Sequence, residues 1–137
     1  MLGEMIGELR GKVTGQKILP SEGVNPKCET SFEVNGIVLG VEVTVMGTYW
    51  SVIRQNGTIY GECPWQGFIM TKDGDVGTWG GAGVGRFTGE GTAVSFRGAI
   101  YFQIASQKLA RLNNISVPYE FDVDAQGNAL NRIWEWK

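Results

Sequence analysis

The sequence predicts an all-β domain, a small antiparallel up-and-down barrel of about eight strands, and three observations predict it. Apolar and polar residues alternate with a period of two over much of the chain, the pattern of half-buried strands. Asn35-Gly36, Asn56-Gly57 and Asp73-Gly74 punctuate the alternating segments with dipeptides that favour tight hairpin turns. Many of the 21 glycines lie inside those segments, where glycine marks bulges and close backbone approach. Small closed barrels use such features to turn their corners. A β-sandwich is the alternative, although a flat sandwich needs fewer glycines.

The elements follow in order. Met5, Gly7, Leu9, Gly11 and Val13 alternate with Ile6, Glu8, Arg10, Lys12 and Thr14, which predicts a first strand over about 5–18. Residues 20–26, with two prolines, a serine, a glycine and an asparagine, have loop composition. A short strand over 28–34 leads to a turn at Asn35-Gly36. Ile37, Leu39, Val41, Val43 and Val45 then share one face of the next strand, opposite Val38, Gly40, Glu42, Thr44 and Met46. So many β-branched residues disfavour a helix there. The sheet resumes over 49–54, turns at Asn56-Gly57 and runs from 58 to 72, with an edge or bulge expected near Pro64. After Asp73-Gly74, a glycine-rich hairpin joins 75–88 to 92–104 through Gly89-Glu90-Gly91. Gln107 to Leu112 has room for one helical turn. A last hairpin pairs 117–124 with 129–136. No segment supports a long helix, which excludes βαβ architectures, and residues 1–137 form one domain.

Composition bounds the function. Twelve basic and 14 acidic residues give a net charge of −2 with no like-charge block, so no basic stripe tracks a phosphate backbone and nucleic acid is not an expected partner. The chain has no histidine, which removes Ser-His-Asp and Cys-His chemistry and histidine-ligated metals. No metal or cofactor is expected. Cys28 and Cys63 are far apart in sequence and read as packed thiols, with a disulfide unnecessary for a core of this size. The first eight residues lack a basic and then a long apolar region, unlike a signal peptide. No apolar run approaches the ~20 residues of a membrane-spanning helix. A cytoplasmic protein with no membrane partner is expected.

Gly83-Val84-Gly85-Arg86-Phe87-Thr88-Gly89 has the wrong context for a dinucleotide loop, which leaves a strand and opens a helix. Instead, Gly80 to Gly91 resembles the glycine-rich strand pair of allene oxide cyclase-like barrels, the superfamily that includes dirigent proteins. The whole chain, with Lys108-Leu109-Ala110-Arg111-Leu112-Asn113 and the Trp134-Glu135-Trp136 ending, resembles an uncharacterised bacterial group of that superfamily. The resemblance implies an eight-stranded antiparallel barrel, often oligomeric, with a lumen that can hold an apolar molecule. It carries no catalytic residue onto this chain.

Alternation divides each strand into two faces without saying which one is inward. If the bulky aliphatics face outward, then Glu42, Thr44, Arg97, Tyr101 and Gln103 line the lumen, with Ser95 beside them and Glu62 on a nearby strand. A Glu42–Arg97 pair there would need mutual satisfaction, and the cluster could orient a ligand. In the opposite reading these residues form the solvated wall and aliphatics fill the barrel. Trp50, Trp65, Trp79, Trp134 and Trp136 fit a pocket or interface, or simply the core. Three functions follow from these readings. The first is a barrel that binds a small apolar ligand. The second is a cyclase- or isomerase-like enzyme using Glu42 or Glu62. The third is a homo-oligomeric scaffold.

Overall fold

The computed structural model describes residues 2–136. Eight strands close an antiparallel barrel in simple sequence order. They are β1 (Leu2–Glu22), β2 (Asn25–Val38), β3 (Val41–Ile53), β4 (Thr58–Thr71), β5 (Val76–Phe87), β6 (Val94–Ile104), β7 (Val117–Val123) and β8 (Asn128–Trp136). Pairing of β1 with β8 closes the wall. Every strand therefore has neighbours on both sides along part of its length, which removes most of the exposed sheet edge.

β1 is longer than its partner on one side. β8 follows it only as far as Lys12↔Asn128, and the Val13 amide ends that ladder by donating to the Gly127 carbonyl at 2.8 Å. Beyond this point β1 pairs with β2 alone. Such an edge can template further strands. Here two register shifts, between Val13 and Gly15 and between Leu19 and Glu22, combine with Lys17 and Pro20 to interrupt it. The strand runs through the segment expected to be a loop, and only Gly23 and Val24 turn.

The first hairpin turn also differs from expectation. Asn35 and Gly36 lie inside β2, and the chain turns at Leu39-Gly40. Gly36 serves close approach instead, because a Cβ there would collide with the Glu8 carbonyl oxygen. The longer β2 gives β1 a partner from Gly7 to Glu22 and points Val34 and Val38 inward, both essentially unexposed. Ile37 becomes an outer residue, 55% exposed. Leu39 adopts φ 50°, a left-handed conformation unfavourable for a non-glycine residue, and it packs against the core.

The expected turns at Asn56-Gly57 and Asp73-Gly74 are present, with Gly57 at φ 85° and Gly74 at φ 96°. The irregularity expected near Pro64 is a bulge. β4 carries extra residues between Cys63 and Gly67 relative to both β3 and β5, and Trp65 takes φ 55° there. Gly80 makes room for the bulge, since a Cβ on it would lie 2.8 Å from the Trp65 amide nitrogen and 2.9 Å from the Cys63 carbonyl oxygen.

The aliphatics fill the barrel. Leu9, Val34, Val43, Val45, Ile59, Ile69, Phe96, Ile100, Phe102 and Ile133 belong to one buried cluster. A 3-10 segment, Gln107–Asn114, spans the β6–β7 connection and adds the fully buried Leu109 and Leu112 to that cluster. Asn113 ties the segment to β6: its Oδ1 accepts from the Ile104 amide at 2.8 Å and its Nδ2 donates to the Ile104 carbonyl at 2.9 Å. Among the described residues no helix is long and apolar enough to cross a membrane.

Candidate functional site

The inward face settles the position of the polar candidates. Val43 and Val45 point inward on β3, so Glu42 and Thr44 stand on the outer wall. Glu42 pairs there with Lys72 at 3.1 Å, and the Thr44 hydroxyl donates to Asn35 Oδ1 at 2.6 Å. On β6, Phe96, Ile100, Phe102 and Ile104 are buried, which turns Arg97, Tyr101 and Gln103 outward; Tyr101 is 47% exposed. Arg97 pairs with Glu120 at 3.3 Å and Asp122 at 3.5 Å, both on β7. It also donates to the Ser95 hydroxyl, which in turn donates to Asp122 at 2.6 Å. Arg97 and Glu42 are not partners, and these five residues do not line a lumen. The physical reason is burial: aliphatic faces gain from leaving water and ionic faces do not.

Glu62 borders the lumen between two inward residues, Gly61 and Cys63. Its carboxylate is turned outward, where it accepts from the Tyr60 hydroxyl at 3.0 Å. That bond holds the Tyr60 proton and raises its pKa. Tyr60 packs beside Trp50 with ring centroids 5.7 Å apart, and the Arg54 guanidinium lies 4.9 Å from its ring centre. Lys27 covers Trp50 at 4.6 Å. This is an outer-wall cluster.

The lumen holds a different set of residues. Phe32 on β2 lies near Tyr49, Trp79 and Phe121 at centroid distances of 6.0, 5.9 and 4.8 Å. Tyr49 meets Phe96 and Phe121 edge-on, at 71° and 87°, an arrangement that suits the ring quadrupoles. Glycines make space for these rings. On β5 the inward positions are Gly77, Trp79, Gly81, Gly83 and Gly85. A Cβ at Gly85 would lie 2.6 Å from Phe96, and one at Gly83 would collide with the Tyr119 hydroxyl. Trp79 lies across the barrel over Gly67 and Gly47, where a Cβ at either position would strike its indole.

The rings enclose a cavity of about 60 Å³. Phe32, Tyr49, Cys63, Trp79, Phe96, Tyr119 and Phe121 line it together with aliphatics. Burial raises the Tyr49 hydroxyl to about 12, against a smaller opposing effect of the Thr30 hydroxyl, and pushes Tyr119 higher still. Both phenols are therefore neutral at physiological pH. Burial also raises the Cys63 thiol, although backbone groups of Gln66 and Thr48 partly counter it. Among the described residues no lysine or arginine lines the cavity.

A line of small polar groups leads towards this cavity along β2 and β3. Gln16 donates to the Thr30 hydroxyl at 3.4 Å, Thr30 is paired in register with Tyr49, and Cys28 with Ser51. Cys28 Sγ and Ser51 Oγ are 3.3 Å apart. Both cysteines are free. They stand on β2 and β4, two strand spacings of ~4.8 Å apart and out of line by two residues, since Cys28 is opposite Ser51 and Ser51 opposite Gly61, which is beyond the ~7 Å Cα reach of a disulfide. Only a thiolate reacts readily, so the buried Cys63 is expected to resist a thiol reagent at neutral pH. Titration with an aromatic disulfide should find at most one fast thiol in native protein and two after denaturation; two fast native thiols would show that Cys63 is open to solvent.

Tyr49, Cys63 and Tyr119 escaped the sequence-based choice because each is an ordinary core residue type, and Trp79 stood there only as one of five tryptophans that fit a pocket, an interface or the core. One signal was present. Trp79 is the only large side chain on the inward parity of β5 from Gly77 to Gly85, a large residue set among glycines.

No family model matches the sequence, and no curated protein matches it. Among solved structures the chain is similar to a conserved protein of unknown function from Rhodopseudomonas palustris, with a TM-score of 0.81 at 15% identity over 98% of this chain and 97% of that one. It is similar to a protein of unknown function from Clostridium acetobutylicum, with a TM-score of 0.75 at 16% identity over 98% of each chain. It is also similar to a β-barrel-like protein from Acinetobacter baumannii AYE, with a TM-score of 0.81 at 12% identity over 100% of this chain and 96% of that one. Likeness at these identities, over essentially whole chains, shows a shared small-barrel fold.

Proposed function

We propose that the protein is a binding barrel that holds a small, mostly apolar molecule in its lumen. The observation that carries this reading is the aromatic-walled cavity between Phe32, Tyr49, Trp79, Phe96 and Phe121. Binding sites are characteristically apolar concavities with a few placed polar groups, and Tyr49, Tyr119 and Cys63 provide such groups here. The resemblance of Gly80 to Gly91 to allene oxide cyclase-like barrels supports the same reading, because that resemblance implies a lumen that can hold an apolar molecule. Binding is preferred to acid–base catalysis because the carboxylates of Glu42 and Glu62 are directed to the outer wall. Exposed Ile37, Met70, Val76 and Tyr101 on that wall support association into a homo-oligomer.

Native mass spectrometry of gently purified protein tests both parts. The expected mass exceeds an integer multiple of the chain by a small-molecule increment, and the multiple is greater than one. A bare mass, together with no saturation-transfer signal from tetrahydrofuran or cyclopentane at millimolar concentration, would overturn the binding reading.

A further inference from the structure

Trp79 lines the cavity and is 6% exposed. Its Nε1 is buried and has no hydrogen-bond partner among the described residues. An indole N–H can only donate, and leaving a buried donor unpaired costs stability. The indole is also fixed in place. It lies flat over Gly67 and Gly47, and Phe32 packs 5.9 Å from it. The donor's position is therefore fixed, and an acceptor reaches it by displacing the side chains that cover it in the unliganded lumen.

The remaining wall limits the ligand's charge. With no lysine or arginine among the described residues that line the lumen, a buried anion would have no counter-charge there. A buried cation would face neutral phenols and a carboxylate turned away to Tyr60. Either ion would pay a desolvation cost that nothing offsets. The volume limits size: at 60 Å³, with one water-sized group needing ~10–15 Å³, the cavity takes roughly four to six such groups.

From these observations we infer that the lumen selects a small uncharged molecule bearing one hydrogen-bond acceptor, and that the Trp79 indole N–H is the group that binds the acceptor. This rests on the lumen-binding reading above and adds to it the chemical class of the ligand and the residue that reads it.

Three five-membered rings of nearly equal shape separate the contributions. Tetrahydrofuran carries an ether acceptor, cyclopentane carries none, and pyrrolidine is protonated at neutral pH. Each is titrated into ¹⁵N-labelled full-length protein while the five indole N–H resonances are followed. The Trp79 resonance is assigned by its loss in Trp79→Phe. Tetrahydrofuran is expected to move that resonance downfield, cyclopentane to bind without a downfield shift, and pyrrolidine not to bind. Trp79→Phe is expected to weaken tetrahydrofuran about fivefold, the effect of one neutral hydrogen bond, and cyclopentane less than twofold. Equal indole shifts with both neutral rings, or equal weakening of both by Trp79→Phe, would reduce Trp79 to a packing residue and overturn this inference while the lumen-binding reading stands. Binding of pyrrolidine as tight as that of tetrahydrofuran would overturn the neutrality requirement. If neither neutral ring binds, both readings fall. Should Trp79→Phe not fold, the remaining indoles are assigned from Phe replacements at the other four tryptophans and the wild-type shifts decide.

Discussion

Gly67→Ala is expected to destabilise the protein by about 3 kcal/mol, within the range for overpacking and for loss of a buried aromatic. The cause is a single row of residues across the sheet. Phe32 is opposite Gly47, Gly47 is opposite Gly67, and Gly67 is opposite Trp79. Two adjacent strands carry no side chain in this row, and the indole fills the slot that results. A Cβ at Gly67 would collide with Cδ2, Cε2 and Nε1 of Trp79, and the far ring is held just as closely by Gly47, where a Cβ would lie 2.9 Å from Cη2. A rigid bicyclic ring cannot bend around a methyl group. It has to leave its place, and the Phe32 packing and the cavity wall go with it. Urea denaturation of the wild type and the variant measures the loss, and a change under about 0.5 kcal/mol, the scatter of ordinary surface substitutions, would refute the packing account. A double-mutant cycle with Trp79→Val sharpens the test. Removing the indole should relieve the clash, so Gly67→Ala should cost at least ~1 kcal/mol less in the Trp79→Val background, a coupling expected of touching residues.

The same row explains what the sequence conceals. Period-two alternation, Asx-Gly dipeptides and interior glycines are local signals, and they identify the strand segments because alternation and turn geometry are themselves local. The inward face is not local. Ile37 and Val38 are adjacent and both β-branched; Val38 is core and Ile37 is outer wall because the chain turns at Leu39-Gly40 and not at Asn35-Gly36. Asn-Gly favours a turn, but Gly36 is required where β2 crosses close to Glu8 of β1, and that contact exists only after folding. The polar candidates Glu42, Thr44, Arg97, Tyr101 and Gln103 were visible as a face, and closure of the barrel put that face in solvent. Conversely, Tyr49 and Cys63 become notable only when β3 and β4 bring them around one void with Trp79 and Tyr119. A glycine's neighbour across two strands cannot be read from its own segment.

Raising the pH above about 10 is expected to unfold the protein progressively, and Tyr49 is a principal reason. A tyrosine in an unfolded chain ionises near pH ~10. In the fold, burial holds the Tyr49 proton until about pH 12 and holds that of Tyr119 to higher pH. Between those values the unfolded state has released a proton that the folded state still carries. By linkage, stability falls as pH rises wherever the folded state binds more protons. The contribution of each phenol is therefore complete below about pH 10 and is lost through the alkaline window. For Tyr49 the loss is on the order of 2–3 kcal/mol by pH 12, at about 1.4 kcal/mol per pKa unit, a large share of the roughly 5–15 kcal/mol typical of a domain. Other groups titrate in this range, so the informative quantity is a difference. Urea midpoints of wild type and Tyr49→Phe should diverge between about pH 9.5 and 11.5, with the variant losing less. Parallel loss in the two proteins would mean that the Tyr49 hydroxyl reaches water in the folded state. That result would also bear on the site, because a phenol open to water cannot belong to a dry, neutral lumen. The expected divergence places Tyr49 with Tyr119 in a wall that stays uncharged over the whole physiological range, the condition under which an aromatic cavity prefers a neutral guest to an ion.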